Sequence, residues 1–253
     1  MSSTPFAGPE VQGEIKFSVL IPAHNEEKYI TKCLQSIAAA AESFPDQVEV
    51  IVILNRCTDT TEVIAKSYNC MVIHDDRKNL SQIRNAGAAA ARGEILVTID
   101  ADSQMTEGML SEMDRLLSLG TYIGGGTTAR YERMSLGIVV STLMLIIPLV
   151  FKYGAISVGI FWCYKSDFEA IGGFNEELLM TEDADFALRL KKWGKRNGKK
   201  FGTITKAHMI TSCRKFDQAG DWMLAKRPRL ILAYLKGTDP KYADEAYYEN
   251  HER

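Results

Sequence analysis

The sequence predicts an α/β fold: a single doubly wound, mostly parallel sheet with helices on both faces. Three observations support this prediction. Short apolar runs rich in β-branched residues alternate with segments of helical periodicity over roughly the first 120 residues. Polar or acidic turn residues follow these runs. The chain has 253 residues, which is enough for one large domain with a substantial core.

The first half of the chain contains four predicted strands, each in a short apolar run, at Phe17–Pro22, Val48–Leu54, Met71–His74 and Ile95–Ile99. Four predicted helices alternate with them, at Tyr29–Ala41, Thr61–Tyr68, Ser81–Arg92 and Thr106–Leu119. Asn25 is expected to cap the first of these helices, and Gly93 is expected to end the third. Because parallel strands need crossover connections, this alternation favours a parallel sheet.

The second half is less regular. A strand is predicted at Val158–Tyr164, a helix at Asp183–Trp193, a strand from Thr203, and an amphipathic helix at Trp222–Leu235 that Pro228 interrupts near its start.

The most apolar stretch of the chain is Met134–Phe151. A membrane span usually needs about 20 apolar residues, and this stretch contains Ser141, Thr142 and Pro148. Basic residues flank it, namely Arg130, Arg133 and Lys152. We therefore expect a helix on the acceptor side that is buried or lies on a membrane surface, rather than one that crosses the membrane.

The composition excludes several classes of protein. A hydrophobic content of 46% and a charged content of 25% are those of a soluble globular protein. The formal net charge of −2 offers no electrostatic basis for nucleic-acid binding. The cysteines (33, 57, 70, 163 and 213) are scattered without CxxC spacing, and no signal peptide is evident. We expect a cytoplasmic protein, with the inner face of the membrane as a candidate place of action, and no disulfide framework or zinc site.

Two carboxylates, Asp100 and Asp102, follow the fourth strand. The carboxyl ends of strands are where open α/β sheets bind ligands, and paired hard oxygen donors suit Mg²⁺ or Mn²⁺. The alternative is a solvated acidic turn, and the same spacing recurs at Asp183-Ala-Asp185. Polar residues also follow the first two strands, at 23–26 and 55–59. The absence of GxGxxG and GxxxxGK[ST] disfavours a dinucleotide oxidoreductase and a P-loop NTPase.

Five ordered segments resemble glycosyltransferase family 2: Ile21–Glu27, Asn55–Asp59, Arg84–Gly87, Asp100–Asp102, and Gly172–Glu176 followed by Thr181–Asp183. The resemblance spans about residues 16–215. It implies a GT-A-type fold and an inverting transferase that uses a nucleotide-diphosphate sugar. It also implies that Asp100 and Asp102 hold a divalent cation, Mn²⁺ or Mg²⁺, on the diphosphate, and that Asp183 is the catalytic base.

The resemblance and the residue chemistry together define the candidate site. The expected donor-binding residues are Pro22, Ala23, Asn25, Glu26, Asn55, Asp59, Arg84, Asp100, Ala101, Asp102 and Arg214. The expected acceptor-side residues are Gly172, Gly173, Glu182 and Trp162. His208 is a candidate third metal ligand, because a late histidine joins the metal or diphosphate in some members of the family.

Chemical reasoning supports these roles, and alternatives remain for three of them. A metal offsets the charge of a diphosphate leaving group, and Arg84 offers a cationic fork for phosphates unless it is a solvated helix-face residue. Inversion needs a single in-line displacement, so one base, Asp183, suffices. Alternatively, the acids at the start of the helix Asp183–Trp193 stabilise the helix dipole, an interpretation that fits Asp185 better than Asp183. The glycines allow close approach of substrate, and Trp162 stacks on a sugar or packs in the core.

Two departures from the family pattern matter. The family often has an acidic residue after the second strand to read the nucleobase, where this chain has Asn55. The choice of nucleotide therefore stays open. Processive members carry a Gln-x-x-Arg-Trp motif, whereas Gln218–Trp222 lacks the arginine. We therefore expect transfer of a single sugar.

The predicted organisation is a flexible leader at 1–14, a catalytic domain at 15–215 and a C-terminal helical extension at 216–253. Within the catalytic domain, the donor half covers about 15–125 and the acceptor half 126–215. The predicted partners are a nucleotide-sugar donor, a sugar, lipid-linked or small-molecule acceptor, and a peripheral membrane surface. A nucleotidyltransferase and a non-catalytic nucleotide-sugar-binding protein are the alternative functions.

Overall fold

The computed structural model describes residues 5–8, 10, 13–154, 157–240 and 242, whose strands form one sheet. The strands are β1 (Phe17–Ala23), β2 (Val48–Leu54), β3 (Met71–His74), β4 (Ile95–Thr98), β5 (Ser103–Met105), β6 (Tyr122–Tyr131), β7 (Val158–Tyr164) and β8 (Lys200–Thr211). The helices are α1 (Ile30–Ala41), α2 (Thr61–Ser67), α3 (Leu80–Ala90), α4 (Met109–Ser118), α5 (Leu136–Tyr153), α6 (Lys165–Ala170), α7 (Glu182–Arg196), α8 (Arg214–Ala219), α9 (Met223–Lys226) and α10 (Pro228–Lys236).

The sheet has the strand order β3-β2-β1-β4-β7-β6-β8-β5. In its parallel half, β1 pairs with β2 and β4, and β2 pairs with β3. The strand β7 runs antiparallel between β4 and β6, β8 is parallel to β6, and β5 is antiparallel to β8. Thus β1 to β4, β6 and β8 point one way and only β5 and β7 oppose them. The predicted mostly parallel sheet is confirmed.

Different helices cover the two faces of this sheet. Val19 and Val50 belong to a core cluster that includes residues of α1 and α4. Their neighbours Leu20 and Ile51 belong to a second cluster that includes residues of α3 and α7. Because successive strand residues point to opposite faces, a run of consecutive apolar residues fills both layers. The predicted placement of helices on both faces is confirmed.

Two predicted helix boundaries are wrong. Asn25 does not cap α1, which begins at Ile30 after Tyr29. Instead, Asn25 has a left-handed φ of 53° and its side-chain oxygen accepts a hydrogen bond from the Thr58 N–H at 2.8 Å. Gly93 does not end α3, which stops at Ala90. A glycine is needed at position 93 because an added Cβ would lie 2.7 Å from the Ser18 backbone nitrogen.

The predicted flexible leader is partly wrong. Phe6 is 3% exposed and lies in the main core cluster. The Ala7 N–H donates to the Val48 carbonyl at 2.9 Å, and Arg92 donates to the Gly8 carbonyl at 3.0 Å. The segment is held because it adds both an aromatic ring to the core and backbone hydrogen bonds. Residues 1–4, 9, 11 and 12 of the predicted leader, and 241 and 243–253 of the predicted extension, lie outside the described residues.

The sequence did not predict β5 and β6. Three successive glycines, Gly124–Gly126, give β6 a composition that is unusual for a strand. They are required by close approach of the neighbouring strands: a Cβ at Gly125 would lie 2.0 Å from the Gly202 carbonyl oxygen. The missing side chains therefore allow β6 and β8 to pair.

The apolar stretch of the second half forms α5. In the described part of the chain it is the one helix long and apolar enough to cross a membrane by length and composition, and 22% of it is buried. Its N-cap Ser135 donates to Asp221 at 2.6 Å, and Tyr153 lies 3.5 Å from the Thr181 hydroxyl. The flanking strands β6 and β7 pair directly with each other. Both ends of α5 are therefore tied to the same domain.

Candidate active site

The guanidinium of Arg84 lies at the centre of the candidate site. Its Nη1 donates to Glu182 Oε1 at 2.7 Å and to Asp183 Oδ1 at 3.0 Å, and its Nη2 donates to Asp100 Oδ1 at 2.8 Å. Arg84 is 4% exposed. Arg84 is therefore not the solvated helix-face residue of the alternative interpretation: both terminal nitrogens bind carboxylates, and the residue links Asp100 with the acids of α7. Its contact with phosphates stays a prediction.

The position of Arg84 is fixed by neighbouring residues of α3. Asn79 caps this helix by accepting a hydrogen bond from the Gln82 N–H at 3.1 Å, and it donates to the Glu176 carbonyl at 2.7 Å. Asn85 donates to the Phe174 carbonyl at 2.9 Å and accepts from the Phe174 N–H at 2.8 Å. These bonds hold the loop that precedes α7 against α3, so that the two acids meet Arg84.

A second guanidinium joins two other predicted residues. Arg214 Nη1 lies 2.8 Å from Glu26 Oε2, and its Nε lies 3.2 Å from Asp102 Oδ2. Ser212 donates from its hydroxyl to the same Asp102 oxygen at 2.7 Å. The ring of Tyr29 lies 5.2 Å from the guanidinium. The end of β8 therefore brings a cation to the acidic residues that follow β1 and β4.

Burial sets the proton affinity of two carboxyl groups. Burial raises the pKa of Asp183 to about 7, which Arg84 opposes and Glu182 reinforces. Burial likewise raises the pKa of Glu26 to about 7, which Arg214 opposes and Asp102 reinforces. A group with a pKa near neutrality can accept a proton effectively. The Asp183 side chain is 31% exposed, so it remains accessible from the adjacent cavity.

The cavity beside these groups has a volume of about 350 Å³. Its polar lining comes from the acids, from the residues at and just after the end of β8, and from hydroxyl side chains of other elements: Asp100, Asp102, Glu182, Asp183, Thr211, Ser212, Lys215, Tyr131, Ser141, Thr142, Thr181 and Tyr234. The remaining lining is apolar and comes from α5, α7, α8 and α9. Carboxylates and apolar side chains thus line the same cavity.

The donor set fits a Mg²⁺ or Mn²⁺ ion that also binds a diphosphate. The Asp100 side chain is 54% exposed and is therefore accessible to an ion. Asp102 already has one positive charge beside it, the Arg214 guanidinium, which shows that a cation fits there. No group of three or more His, Cys, Asp or Glu arranged to hold a metal occurs in the residues that the structure describes. Two carboxylates with the remaining ligands from phosphate and water is the usual arrangement for Mg²⁺.

The expectation that His208 joins the metal is corrected by its position in β8. Thr211 pairs with Ser103 beside the acidic turn, whereas His208 lies three residues earlier and pairs with Thr128. Three residues span about 10 Å along a strand. The His208 N–H donates to Thr106 Oγ1 at 3.1 Å, at the far end of β5.

Asn55 and Asp59 stabilise loops. The Asn55 amide donates to the carbonyls of Asp75 at 2.5 Å and Arg77 at 2.8 Å, and Asn55 is 2% exposed. Its expected contact with a base edge is therefore corrected to a structural role. Asp59 accepts hydrogen bonds from Thr61 and Glu27. Burial would raise the pKa of Asp59, but these hydrogen bonds outweigh it and lower the pKa.

Three expected acceptor-side residues lie elsewhere. Trp162 is completely buried and donates to the Gly126 carbonyl at 3.2 Å, so it packs in the core. Gly172 and Gly173 follow α6 with φ of 76° and 64°. A Cβ at Gly173 would lie 2.6 Å from Asn85 Oδ1. These glycines provide a left-handed turn, which is a different role from admitting substrate.

The remaining predicted residues lie at the strand ends. Pro22 and Ala23 are the last residues of β1, and Ala101 is 2% exposed between the two acids. Glu182 lines the cavity, although Arg84 already binds it. Thr181 lies in the last of the five resembling segments without a role assigned to it, and its φ of 60° is uncommon for a threonine. Thr181 immediately precedes the two acids that bind Arg84, and no sequence signal indicates its left-handed backbone conformation.

Comparisons with known proteins identify the family and the fold of this chain. The family model "Glycosyl transferase family 2" matches residues 18–160. EpsH of Bacillus subtilis (strain 168) is 33% identical over 103 residues, which cover 39% of this chain and 29% of EpsH. The matched part of the chain thus spans less than a third of that relative's length.

Solved structures show the same fold. A fragment of S. aureus TarS in complex with UDP-GlcNAc has a TM-score of 0.62 at 19% identity, covering 94% of this chain and 72% of that one. Glucosyl-3-phosphoglycerate synthase from Mycobacterium tuberculosis, in complex with Mn²⁺, UDP and phosphoglyceric acid, has a TM-score of 0.59 at 19% identity, covering 89% and 80%. The expected GT-A-type fold is confirmed.

Arg84→Ala is expected to lower the free energy of unfolding by about 3–5 kcal/mol, because Glu182, 3% exposed, would remain as an uncompensated buried charge. Urea denaturation followed by circular dichroism measures this loss. Arg115→Ala is the control, since its ion pair with Glu112 is exposed to solvent and contributes little to stability. Adding Glu182→Gln to Arg84→Ala should recover part of the stability. Equal losses in the two single variants would contradict the structural role of Arg84.

Proposed function

The chain belongs to glycosyltransferase family 2, and on this premise we propose that it transfers one sugar from a nucleotide-diphosphate sugar to an acceptor hydroxyl. We propose a metal-dependent, inverting and non-processive reaction. The observation that supports it best is the shared guanidinium of Arg84. One oxygen of Asp100 and one of Asp183 both lie within 3.0 Å of it. A candidate metal ligand and a candidate base therefore border the same cavity.

On the donor side, Asp100 and Asp102 would hold the divalent cation, which offsets negative charge on the leaving diphosphate when bound. Ser212 orients one oxygen of Asp102 through its hydroxyl. Arg214 adds a positive charge beside Glu26 and Asp102. We propose that its guanidinium also contacts the diphosphate, since electrostatic stabilisation of the leaving group lowers the barrier.

On the acceptor side, Asp183 accepts the proton of the attacking hydroxyl. The acceptor oxygen bonds to the anomeric carbon as the bond to the diphosphate breaks, and a single in-line displacement inverts that centre. Arg84 fixes the orientation of the carboxylate by donating to its Oδ1. Burial keeps the pKa of Asp183 near 7, so the group can take up a proton near neutral pH.

The ligands of similar proteins support the choice of donor and cation. The TarS structure contains UDP-GlcNAc, and the mycobacterial synthase structure contains Mn²⁺ and UDP. TarS is named a poly(ribitol-phosphate) beta-N-acetylglucosaminyltransferase. By analogy we propose a role in cell-envelope, polysaccharide or glycolipid synthesis. The missing arginine in Gln218–Trp222 supports transfer of a single sugar.

We further propose that the protein is cytoplasmic and contacts the inner face of the membrane. The exposed face of α5 supports this, with Leu136 72%, Ile147 50% and Phe151 88% exposed. Adjacent helices add exposed cations at Lys226 and Arg229. Apolar residues beside basic ones are typical of a surface that lies on anionic lipid.

The alternative functions make different predictions. A nucleotidyltransferase would consume a nucleoside triphosphate and release pyrophosphate, and the family membership disfavours it. A non-catalytic binding protein would bind a nucleotide sugar without turnover. A thermal-shift screen of nucleotide sugars with Mn²⁺, followed by a turnover assay, separates these functions.

Asp102→Asn is expected to abolish the binding of Mn²⁺ in the presence of a nucleoside diphosphate, because the ion would lose a carboxylate ligand. Isothermal titration of Mn²⁺ with UDP and with GDP, together with the EPR signal of free Mn²⁺, measures this binding. Asp185→Asn is the matched control: Asp185 has the same spacing in a second Asp-Ala-Asp segment but pairs with Arg189 at 2.6 Å. Unchanged Mn²⁺ binding in Asp102→Asn would remove the proposed metal site.

Asp183→Asn is expected to lower kcat by about 10²–10⁴-fold and to leave donor binding unchanged, because the amide cannot accept the acceptor proton. In the unmodified protein, kcat/KM for the donor should fall as the pH drops through about 7, where the raised pKa of Asp183 makes the group neutral. Asp185→Asn, in the same helical turn, should keep both properties. Retained turnover in Asp183→Asn would exclude the residue as the base.

The protein is expected to co-sediment with vesicles of phosphatidylcholine and phosphatidylglycerol, and less so at high salt. The double variant Leu136→Ser with Phe151→Ser should reduce the bound fraction, because both side chains are exposed on α5. Val63→Ser removes a comparably exposed apolar side chain, 68% exposed, from α2 and should leave binding unchanged. No binding to vesicles, or equal binding by both variants, would contradict membrane contact.

A further inference from the structure

The cavity beside Asp183 is divided by chemistry. The carboxylates of Asp100, Asp102 and Asp183 line one part of it. Leu145 and Leu149 of α5, together with Leu224 of α9, line another. Ser141 and Thr142 of α5 also line the cavity, but their hydroxyls already donate to the Asp221 carbonyl and to the Tyr131 hydroxyl. Binding a sugar or a small polar acceptor against aliphatic side chains is unfavourable, because its hydroxyls would lose hydrogen bonds to water there. The lining therefore favours an acceptor that is polar at one end and apolar at the other.

The apolar wall continues to the outside of the protein through Ile146. This side chain lines the cavity and is also 40% exposed. Next to it on the outer face of α5 lie Leu143, Ile147 and Val150, which are 49%, 50% and 40% exposed. Their spacing of three to four residues places them on one side of the helix. An apolar surface therefore extends from the cavity wall to the exposed side of α5.

The orientation of α5 keeps this surface beside the cavity. Ser135 binds Asp221 at the start of the helix, and Lys152 donates to the Leu235 carbonyl at its end. The 18 residues rise about 27 Å, yet β6 and β7 on either side of the helix pair with each other at Thr127 and Val158. Because both ends return to one sheet, α5 lies along the domain with one face packed and the other exposed.

Among the helices that border the cavity, α5, α9 and α10 contain basic residues and no acidic ones. Neither Leu136–Tyr153 nor Met223–Lys236 contains an Asp or Glu. The second range carries Lys226, Arg227, Arg229 and Lys236. This charge pattern complements an anionic lipid surface. The exposed apolar face and its cations therefore fit a bilayer better than they fit an acidic soluble partner, which would leave the aliphatic side chains in water.

From this continuity we propose that the acceptor is lipid-linked: its apolar chain lies along Leu145, Ile146 and Leu149, and its hydroxyl head lies at Asp183. The inference rests on the proposed glycosyl transfer at the same site and names the class of its acceptor. The hydrocarbon chain of the acceptor enters from the bilayer past the exposed face of α5. The head oxygen attacks the anomeric carbon, its proton passes to Asp183, and the nucleoside diphosphate leaves.

The test uses the full-length protein and hexyl, octyl and decyl glucosides below their micellar concentrations. Isothermal titration is expected to show tighter binding with chain length, by roughly fourfold for each methylene that leaves water. Leu149→Gln should weaken decyl glucoside binding at least tenfold and leave hexyl glucoside nearly unchanged. Leu143→Gln is the matched control, since Leu143 lies on the same helix, 49% exposed and outside the cavity lining.

Two results would overturn the inference. One is affinity that does not depend on chain length in the unmodified protein, a measurement that requires no variant to fold. The other is an equal effect of Leu143→Gln and Leu149→Gln, which would indicate non-specific adsorption to the exposed face. Mn²⁺-dependent UDP and GDP binding is measured in parallel for all proteins. Its absence in the unmodified protein would contradict the proposed function, whereas intact binding with no chain-length dependence would contradict only the lipid-linked acceptor.

Discussion

The guanidinium of Arg84 is the interaction on which the site depends. It is almost completely buried and binds three carboxylates, those of Asp100, Glu182 and Asp183. One positive charge against three acids leaves the cluster negative, which favours a second cation nearby. The most exposed of the three, Asp100, is the one with the most room for a metal. Without the Arg84 guanidinium, Glu182 would be a buried, unpaired charge, which would lower the stability of the fold.

The sheet explains how these groups meet. The strands β1 and β4 are parallel neighbours, so the residues after them lie at the same edge. The later strand β8 ends beside β5, which brings Ser212 and Arg214 to Asp102. The residues proposed for the donor side and for the acceptor side therefore do not belong to separate domains. Both are built on one sheet, and Arg84 joins them because α3 and the start of α7 pack on the same face.

The lining of the cavity changes from charged side chains in one part to apolar side chains in another. Acids line one part of the cavity and α5 lines the other, and the apolar lining continues onto the exposed face of that helix. The C-terminal helices α9 and α10 pack against α5 and add cations beside it. The proposed transfer to a lipid-linked acceptor would use this combination, because it would bring together a charged nucleotide sugar and an amphiphile.

Local patterns in the sequence determined the strands and helices of the first half, because burial on both faces requires continuous apolar runs. They also indicated Asp100 and Asp102 as a candidate carboxylate pair after a strand, and the resemblance to the family added Asp183. Tertiary contacts decided the rest. Arg84 and Glu182 are 98 residues apart in the chain, and no local pattern indicates their 2.7 Å contact. The glycine-rich β6 forms because its partner strands approach too closely for side chains. Spacing alone could not separate Asp100-Ala-Asp102 from Asp183-Ala-Asp185. The fold separates them, because Asp185 pairs with Arg189 on its own helix, whereas Asp102 lies beside Arg214 from a distant part of the chain.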